Sequence, residues 1–555
     1  MGMSPVKAKV EYVDFGKSGD GIPPEIHFSA TDDQRKVFSA FARMLNEEMF
    51  HSRSVILAGY AGTGKTWLAA HLIRFAAIHK KLRVAICAPT HKAAAVLAEK
   101  MRSARTAGGK TGNASQQESR VPTLHSLLGL KLKENHDGTM RVELDRHEKG
   151  GYFEDYDVVF IDEASMVGNV LLAHIREFQQ YGKQPLVVYV GDPGQLMPVE
   201  PESAETSIGP LFGAGTVAHR IPPVFLSVKD QHTLTEIVRQ KGTDRPHPIA
   251  FFAQEIRHYI EGAKPGVFSP SAVRAFLDEH KDYMDEAVHT TTAERLGPVA
   301  VRLRQRFPQK ETRIVTWRNM VVDDRNQYVH EQLGDMYGVS GDASLQVPFW
   351  PGEILVARDA MYAFRPGADI LHRGAKTWEE ALSPDPEAVA AQQNQDVGGK
   401  TKGSGGRRED IATMVPNNTE MTTVSCRSVR HPYLDMDSWM VVASIPGEGN
   451  VEFFLPADKR QYQRMVRETW DIYKNTVRRY RNSFRQAWAI SRACAPVMHA
   501  YAMTAHKSQG STFHYSLVDL QDLFGMVRKS GANEYHRAFY VAVTRASERI
   551  WLALD

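Results

Sequence analysis

Short, nearly unbroken apolar runs recur through the first two hundred residues, each leading into a glycine-rich or polar cluster. Val55-Ile56-Leu57-Ala58 leads into a glycine loop, and Arg83-Val84-Ala85-Ile86-Cys87-Ala88 into Pro89-Thr90-His91-Lys92. Val158-Val159-Phe160-Ile161 leads into Asp162-Glu163, and Leu186-Val187-Val188-Tyr189-Val190 into Gly191-Asp192-Pro193-Gly194-Gln195. Runs of this length read as fully buried strands. Helical patterns lie between them: Asp32–Met49, capped by Thr31 and opened by two aspartates, then Trp67–Ile78 and Ala93–Met101. Strands alternating with helices predict a parallel α/β sheet with its functional residues at the carboxyl edge.

One stretch departs from this alternation. Leu130 to Leu144 alternates apolar and polar residues about Asp137-Gly138, which predicts an inserted β-hairpin. Past Pro222-Pro223 the α/β pattern restarts, with a strand at Arg313–Thr316 and a helix at Met320–Leu333. Residues 346–456 then hold short β runs at Ile354–Val356, Met421–Val429, Trp439–Ser444 and Val451–Leu455, predicting a small inserted β-barrel. Residues 457–490 lack Gly and Pro and place Tyr462, Val466, Trp470, Tyr473, Val477, Tyr480, Phe484 and Trp488 at helical spacing, predicting one amphipathic helix with a basic opposite face. That stripe suits packing on the barrel, with the basic face solvated, better than a dedicated DNA platform. Ala500–Thr504 and Ile550–Leu554 return to the apolar strand pattern.

Composition narrows the class. A chain of 555 residues exceeds one core, so several domains are expected. No apolar run is long enough to span a bilayer, and Cys87, Cys426 and Cys494 are too scattered for a disulfide framework or a cysteine zinc site. These features predict a soluble, intracellular, cytoplasmic protein without membrane partners. The net charge of +3 restricts any nucleic-acid surface to a local one.

The glycine loop is Gly59-Tyr60-Ala61-Gly62-Thr63-Gly64-Lys65-Thr66, a G-x-x-x-x-G-K-T match between a predicted strand and helix. Gly59, Gly62 and Gly64 let backbone N–H groups wrap phosphate oxygens. Lys65 would reach the β/γ-phosphates and Thr66 would ligate Mg²⁺, with Thr63 in the same cradle. Asp162 would hold the Mg²⁺ shell, and Glu163 would orient and deprotonate the attacking water. Gln195, at the next strand exit, could hydrogen-bond the γ-phosphate or water. The chain is therefore expected to bind ATP with Mg²⁺.

The ordered motif set resembles the superfamily-one DNA helicases, specifically their RecD-like, Dda-like 5′-to-3′ branch. It comprises Gly59–Thr66, Ala88–Ala94, Thr123-Leu124-His125, Asp162-Glu163-Ala164-Ser165, Gly191–Leu196, Arg239-Gln240, Thr504–Gly510 and Tyr540–Ala546, with Thr316–Asn319 and Asn326 in addition. The resemblance implies two RecA-like parallel-sheet domains of P-loop NTPase type, with ATP between them. It assigns Gln34 to the adenine edge, Gln195 to γ-phosphate sensing, Arg239 and Arg545 to arginine fingers, and Gly510 to the nucleotide site. It sets Pro89, Thr90, His91, His125, Thr504 and His506 along single-stranded DNA. The hairpin, tipped by Asp137 and Gly138, matches the strand-separating pin, and the barrel matches an SH3-like insertion.

The expected organisation is a flexible N-terminus at 1–25 and a first RecA-like domain at 26–222, with its pin insertion at about 124–154. A second RecA-like domain is expected at 223–345 with 492–555, and an SH3-like barrel with long basic helix at 346–491, including a disordered run at about 375–408. The resemblance implies an ATP-dependent 5′-to-3′ DNA translocase and helicase of phage or bacterial type, working as a monomer on single-stranded DNA and duplex junctions in replication, recombination or repair. Single-strand-binding or replication proteins are its expected partners. Two alternatives stay open: an ATP-gated DNA-binding subunit of a larger complex, and an RNA-directed helicase of the same superfamily.

Overall fold

The structure, a computed structural model, describes residues 30–46, 53–90, 93–94, 97–98, 121–134, 140–144, 152–180, 185–197, 221–236, 247–334, 347–366, 412–446, 448–475 and 481–555. The expected 1–25, 103–119 and 375–408 segments lie outside these, as does most of 203–230. Two compact units emerge: Met1–Val322 with Ala502–Asp555, and Asp323–Tyr501.

The first half supplies β1 (Ser54–Gly59), β2 (Val84–Cys87), β3 (Leu130–Glu134), β4 (Met140–Leu144), β5 (Val158–Ile161), β6 (Leu186–Gly191) and β7 (Asp230–Leu234). β3 and β4 pair antiparallel from Leu130↔Leu144 to Glu134↔Met140, a hairpin as expected; its tip, with Asp137 and Gly138, lies outside the described residues. The other five strands form a parallel sheet in the order β2-β5-β6-β1-β7. Successive side chains on a strand point to opposite faces, and this divides the apolar runs between two cores. Val55, Leu57, Val158, Phe160, Val188 and Val190 pack with Val37, Phe38, Phe41, Leu68 and Leu72 of two helices. Ile56, Ala58, Val159, Ile161, Val187 and Tyr189 pack with Leu172 and Ile175 of another.

β7 corrects the expected boundary at 222. Asp230-Gln231-His232-Thr233-Leu234 pairs parallel with β1, and Val224, Phe225 and Val228 just before it belong to the first sheet's core. An edge strand with mostly polar residues carries no apolar run to reveal it.

The chain continues with β8 (Val288–Thr291) and β9 (Thr312–Thr316), then enters the second unit through helix Asn319–Leu333. That unit holds β10 (Ile354–Ala357), β11 (Met361–Phe364), β12 (Ala412–Val415), β13 (Glu420–Arg430), β14 (Asp437–Ile445), β15 (Gly449–Pro456) and β16 (Val497–His499). They form an antiparallel sheet in the order β12-β11-β15-β14-β13-β10-β16, with a bulge in β13 between Thr423 and Ser425. The expected small barrel is, among the described residues, a seven-stranded sheet in open order, with no pairing between β12 and β16.

The single amphipathic helix expected over 457–490 is two helices, Lys459–Asn475 and Arg481–Ser491. The Tyr462 hydroxyl donates to Ile490 O at 2.8 Å. In one continuous helix these residues would stand about 42 Å apart, so the chain doubles back. No Gly or Pro marks the reversal. The apolar stripe still serves packing: Tyr473 is buried, and Trp488 packs with Ala489, Ala493, Phe364 and Phe454 on one face of the sheet.

Returning to the first unit, the chain adds β17 (Ala502–Thr504), β18 (Phe513–Asp519) and β19 (Ala546–Ala553), which complete a second parallel sheet in the order β17-β9-β18-β19-β8. Helices Pro248–Ile260, Pro270–Glu279 and Ala532–Thr544 cover it through a core including Phe252, Phe268, Phe539, Val518 and Leu552. Both sheets therefore have the doubly wound α/β character that the alternating pattern predicts.

Candidate nucleotide and nucleic-acid sites

β1 ends in the glycine loop, and helix Lys65–Arg74 begins directly after it, capped by Gly64 at φ 80°. Gly62 has φ 90°, also left-handed. Gly59 is required by space: a Cβ there would stand 2.7 Å from Thr63 Oγ1 and 3.1 Å from Leu234 Cβ. Gln34, nearly fully buried, donates from Nε2 to Thr63 O at 3.0 Å. Its Oε1 accepts the Thr31 N–H, and the Thr31 hydroxyl accepts the Gln34 N–H, a reciprocal capping box at the start of helix Asp32–Met44. The helix start and the phosphate loop are thereby held by one side chain.

Lys65 Nζ donates to Gly59 O at 2.7 Å and Tyr60 O at 2.9 Å. Burial pushes this ammonium's pKa down; Asp192, Glu163 and Asp162 pull it back, and Arg545 adds to the depression. All four groups thus act electrostatically on one lysine, although Arg545 comes from the far end of the chain. An ammonium folded back onto a wrapped glycine cradle fits a polyphosphate. Thr66, in the first helical turn, with Asp162 at the end of β5, offers oxygen donors suited to Mg²⁺.

Asp162 N–H donates to Cys87 O, and its Oδ1 accepts the Glu163 N–H at 2.9 Å. Glu163 itself has φ 52° and ψ 45°. A glutamate in the left-handed region is uncommon and costs on the order of 1–2 kcal/mol. Gly510, at φ 78°, faces it: a Cβ there would lie 4.0 Å from Glu163 Oε1.

The second sheet's elements reach onto this edge. Tyr540 OH donates to the buried Asp192 Oδ2 at 2.7 Å and accepts the Ala61 N–H at 3.2 Å. Arg537 Nη1 donates to Pro193 O and Gln195 O, each at 2.6 Å. Burial pushes the Arg537 guanidinium down to about 10 against the pull of Glu534 and Asp192. Gln509 Nε2 donates to Gln195 Oε1 at 3.0 Å and lies 3.3 Å from Ser165 Oγ. On the loop's other side, the Arg257 guanidinium sits over the Tyr60 ring, and both contact Glu261. Arg545 is buried, donating from Nε to Val541 O and from Nη1 to Ser511 O.

Asp192, Gln509, Arg537 and Tyr540 are site groups that motif reading did not single out. Asp192, Gln509 and Tyr540 belong to the motif stretches Gly191–Leu196, Thr504–Gly510 and Tyr540–Ala546, and Arg537 lies one helical turn before Tyr540. Arg239 and His91 lie outside the described residues.

The remaining candidate DNA contacts sit at strand ends. Thr90 Oγ1 accepts the Ala93 N–H, Thr123 Oγ1 the Ser126 N–H, and Thr504 Oγ1 the Lys507 N–H. Each hydroxyl, used here as a helix-capping acceptor, keeps an O–H to donate to a phosphate. The Ala88↔Thr123 bridge sets buried Pro89 and half-buried Thr90 beside helix Leu124–Leu127, which carries His125; burial pushes that imidazole's pKa down. Thr504 and His506 hold the corresponding place after β17 in the second sheet, with His506 Nε2 3.4 Å from Glu534.

Residues 43–201 match the AAA domain family, and residues 499–553 match the UvrD-like helicase C-terminal domain. The RecD subunit of the RecBCD enzyme of Mycobacterium tuberculosis is 35% identical over 151 residues, 26% of this chain and 24% of that protein. The corresponding subunit of Mycolicibacterium smegmatis is 34% identical over 256 residues, 45% of this chain and 40% of that one. The match thus spans less than half the length of these RecD subunits. An uncharacterised protein of Acanthamoeba polyphaga mimivirus is 22% identical over 530 residues, covering 90% of this chain and 95% of that protein. A Pif1 helicase from Bacteroides, solved with ADP-AlF3 and single-stranded DNA, aligns over 94% of this chain and 92% of that one at 16% identity, with a TM-score of 0.42. The two domain matches fall on the two halves of the phosphate-loop site, and with the RecD relatives they support a superfamily-one helicase of RecD-like type.

Proposed function

We propose that this protein hydrolyses Mg²⁺-ATP at the phosphate loop and uses the cycle to move 5′ to 3′ along single-stranded DNA, unwinding duplex ahead of it as a monomer. The observation that carries the reading is the reach of Gln509, Arg537 and Tyr540 onto the phosphate loop and the Asp192–Gln195 turn. Gln509 follows Thr504 and His506 closely in the chain, and His506 meets Glu534 of the helix that carries Arg537 and Tyr540, so a change at one site is felt at the other.

In this reading Lys65 and the loop N–H groups hold the β/γ-phosphates. Thr66 and Asp162 hold Mg²⁺, which neutralises charge on the phosphate oxygens. Glu163 orients the attacking water and takes its proton. Arg545 and Arg239 stabilise charge on the transferring phosphoryl group. Gln34 contacts the adenine edge, and Gln195 reports the γ-phosphate to Gln509. Pro89, Thr90, His91, His125, Thr504 and His506 line the strand, contacting its backbone.

The test is strand displacement on duplexes with a 5′ or a 3′ single-stranded tail, alongside ATPase rates with no nucleic acid, single-stranded DNA or single-stranded RNA. Preferential unwinding of the 5′-tailed duplex and DNA stimulation are expected, both lost in Lys65→Ala. Preference for the 3′ tail refutes the direction, and stronger stimulation by RNA refutes the substrate. A second reading, an ATP-gated subunit of a larger assembly, has in its favour that the mycobacterial relatives are subunits of the RecBCD enzyme. DNA-stimulated ATPase without unwinding by the isolated chain would favour it.

A further inference from the structure

Three titratable side chains from separate elements meet inside the second unit: His330 near the end of helix Asn319–Leu333, Glu353 just before β10, and His499 at the end of β16. His330 Nδ1 lies 3.0 Å and His499 Nδ1 2.8 Å from the same atom, Glu353 Oε1. Glu353 Oε2 accepts the Trp350 N–H at 2.9 Å. The Glu353 side chain is fully buried, with those of His330 and His499 4% and 13% exposed. The walls are aromatic: Trp350 stacks on His330 at 4.7 Å and 8°, and Phe349 packs against His499.

A buried carboxylate is costly unless a positive charge accompanies it. Among the described residues no Lys or Arg forms an ion pair with Glu353. Its neighbours are the two imidazole nitrogens on Oε1 and the Trp350 N–H on Oε2, and a bound cation would supply the charge it lacks. Two imidazole nitrogens and one carboxylate oxygen form a donor set for zinc-class cations, which leaves a fourth position for water. All three ligand atoms lie within 4.8 Å of one another. Around a tetrahedral zinc such atoms stand roughly 3.3 Å apart, so the two contacts to Glu353 Oε1 would lengthen by a few tenths of an ångström and the two nitrogens would settle at the same spacing to admit the ion. Trp350 supplies an outer contact through its N–H to Oε2. Its indole Nε1 is buried without a hydrogen-bond partner among the described residues, a donor in the same wall for a metal-bound water.

We propose that His330, Glu353 and His499 bind one zinc-class divalent cation, a structural site tying the helix by which the chain enters the second unit to the strand by which it leaves. The oxygen-loving Mg²⁺ expected beside Thr66 and Asp162 is a poor fit to this nitrogen-rich set.

The experiment uses the full chain without a histidine tag and without nucleotide, stripped by chelator and titrated with Co²⁺. The expected result is intense four-coordinate visible absorption saturating at one equivalent per chain, displaced by Zn²⁺, and a melting temperature several degrees higher with Zn²⁺ than with chelator. Glu353→Gln and His499→Gln should lose both signals; circular dichroism checks that they fold, and the wild-type measurements stand without them. Stripped wild-type protein that takes up no cobalt and melts identically with zinc or chelator overturns the site. Full uptake retained by both folded variants overturns its location.

Discussion

The Tyr540 hydroxyl bridges Asp192 Oδ2 and the Ala61 N–H, so one side chain of helix Ala532–Thr544 holds the exit of β6 to the backbone of the phosphate loop. Tyr540→Phe keeps the ring and removes both bonds. Leaving buried partners unsatisfied costs about 1–3 kcal/mol, which denaturant unfolding will register. A roughly tenfold fall in DNA-stimulated kcat, with KM for ATP changed less, is expected from a loop no longer held in register. Unchanged kcat in a folded variant shows the hydroxyl to be packing alone.

Glu163 separates stability from catalysis because its backbone is left-handed. Glu163→Gln should bind nucleotide and fail to hydrolyse it. Glu163→Gly and Glu163→Ala should be equally inactive, yet the glycine variant should be the more stable by about 1 kcal/mol, since only the alanine keeps a Cβ in that region. Equal melting temperatures for the two would remove the argument for strain.

His536 predicts an acid-labile second sheet. Its Nε2 accepts the Phe268 N–H at 3.0 Å, and burial lowers its pKa to about 4 from an ordinary 6.5. The unfolded chain therefore takes up this proton first, and stability falls as pH drops from about 6.5 towards 4, by on the order of 2–3 kcal/mol. His536→Gln can keep an acceptor for Phe268 without the titration. Unfolding measured at pH 7, 5.5 and 4.5 should show a shallower decline in this variant than in wild type; parallel declines would assign the acid sensitivity elsewhere.

The β3–β4 hairpin stands in the chain between helix Leu124–Leu127 and β5 and carries none of the assigned ATP-site residues. Replacing residues 131–143 with a short Gly/Ser linker should spare DNA-stimulated ATPase and single-strand translocation while sharply reducing unwinding. Persistent unwinding locates the wedge elsewhere, and loss of ATPase makes the ribbon structural.

The apolar runs that cross the two parallel sheets were legible because a strand buried on both faces needs apolar residues at every position, as β5 and β6 have. β7 was not, being a polar edge. The reversal between Asn475 and Arg481 was hidden because the apolar spacing continues across it and no helix breaker marks it. The phosphate loop is a local pattern and was read directly. Tyr540 with Asp192, and His330 with Glu353 and His499, are meetings between separate elements that no local spacing encodes.

The strand order of the second sheet bears on how the protein comes into being. β8 and β9 are not neighbours; β18 and β19 lie between them, and β17 pairs on the far side of β9. During synthesis both early strands emerge long before any partner exists, and the whole second unit is made in the interval. The first sheet can assemble on the ribosome, whereas the second, and with it every contact of Tyr540 and Arg537 on the ATP site, awaits the final stretch of chain. Nascent chains stalled before residue 513 should therefore yield a protease-resistant first sheet with residues 248–316 readily cleaved, and resistance there would mean that β8 and β9 find another fold first.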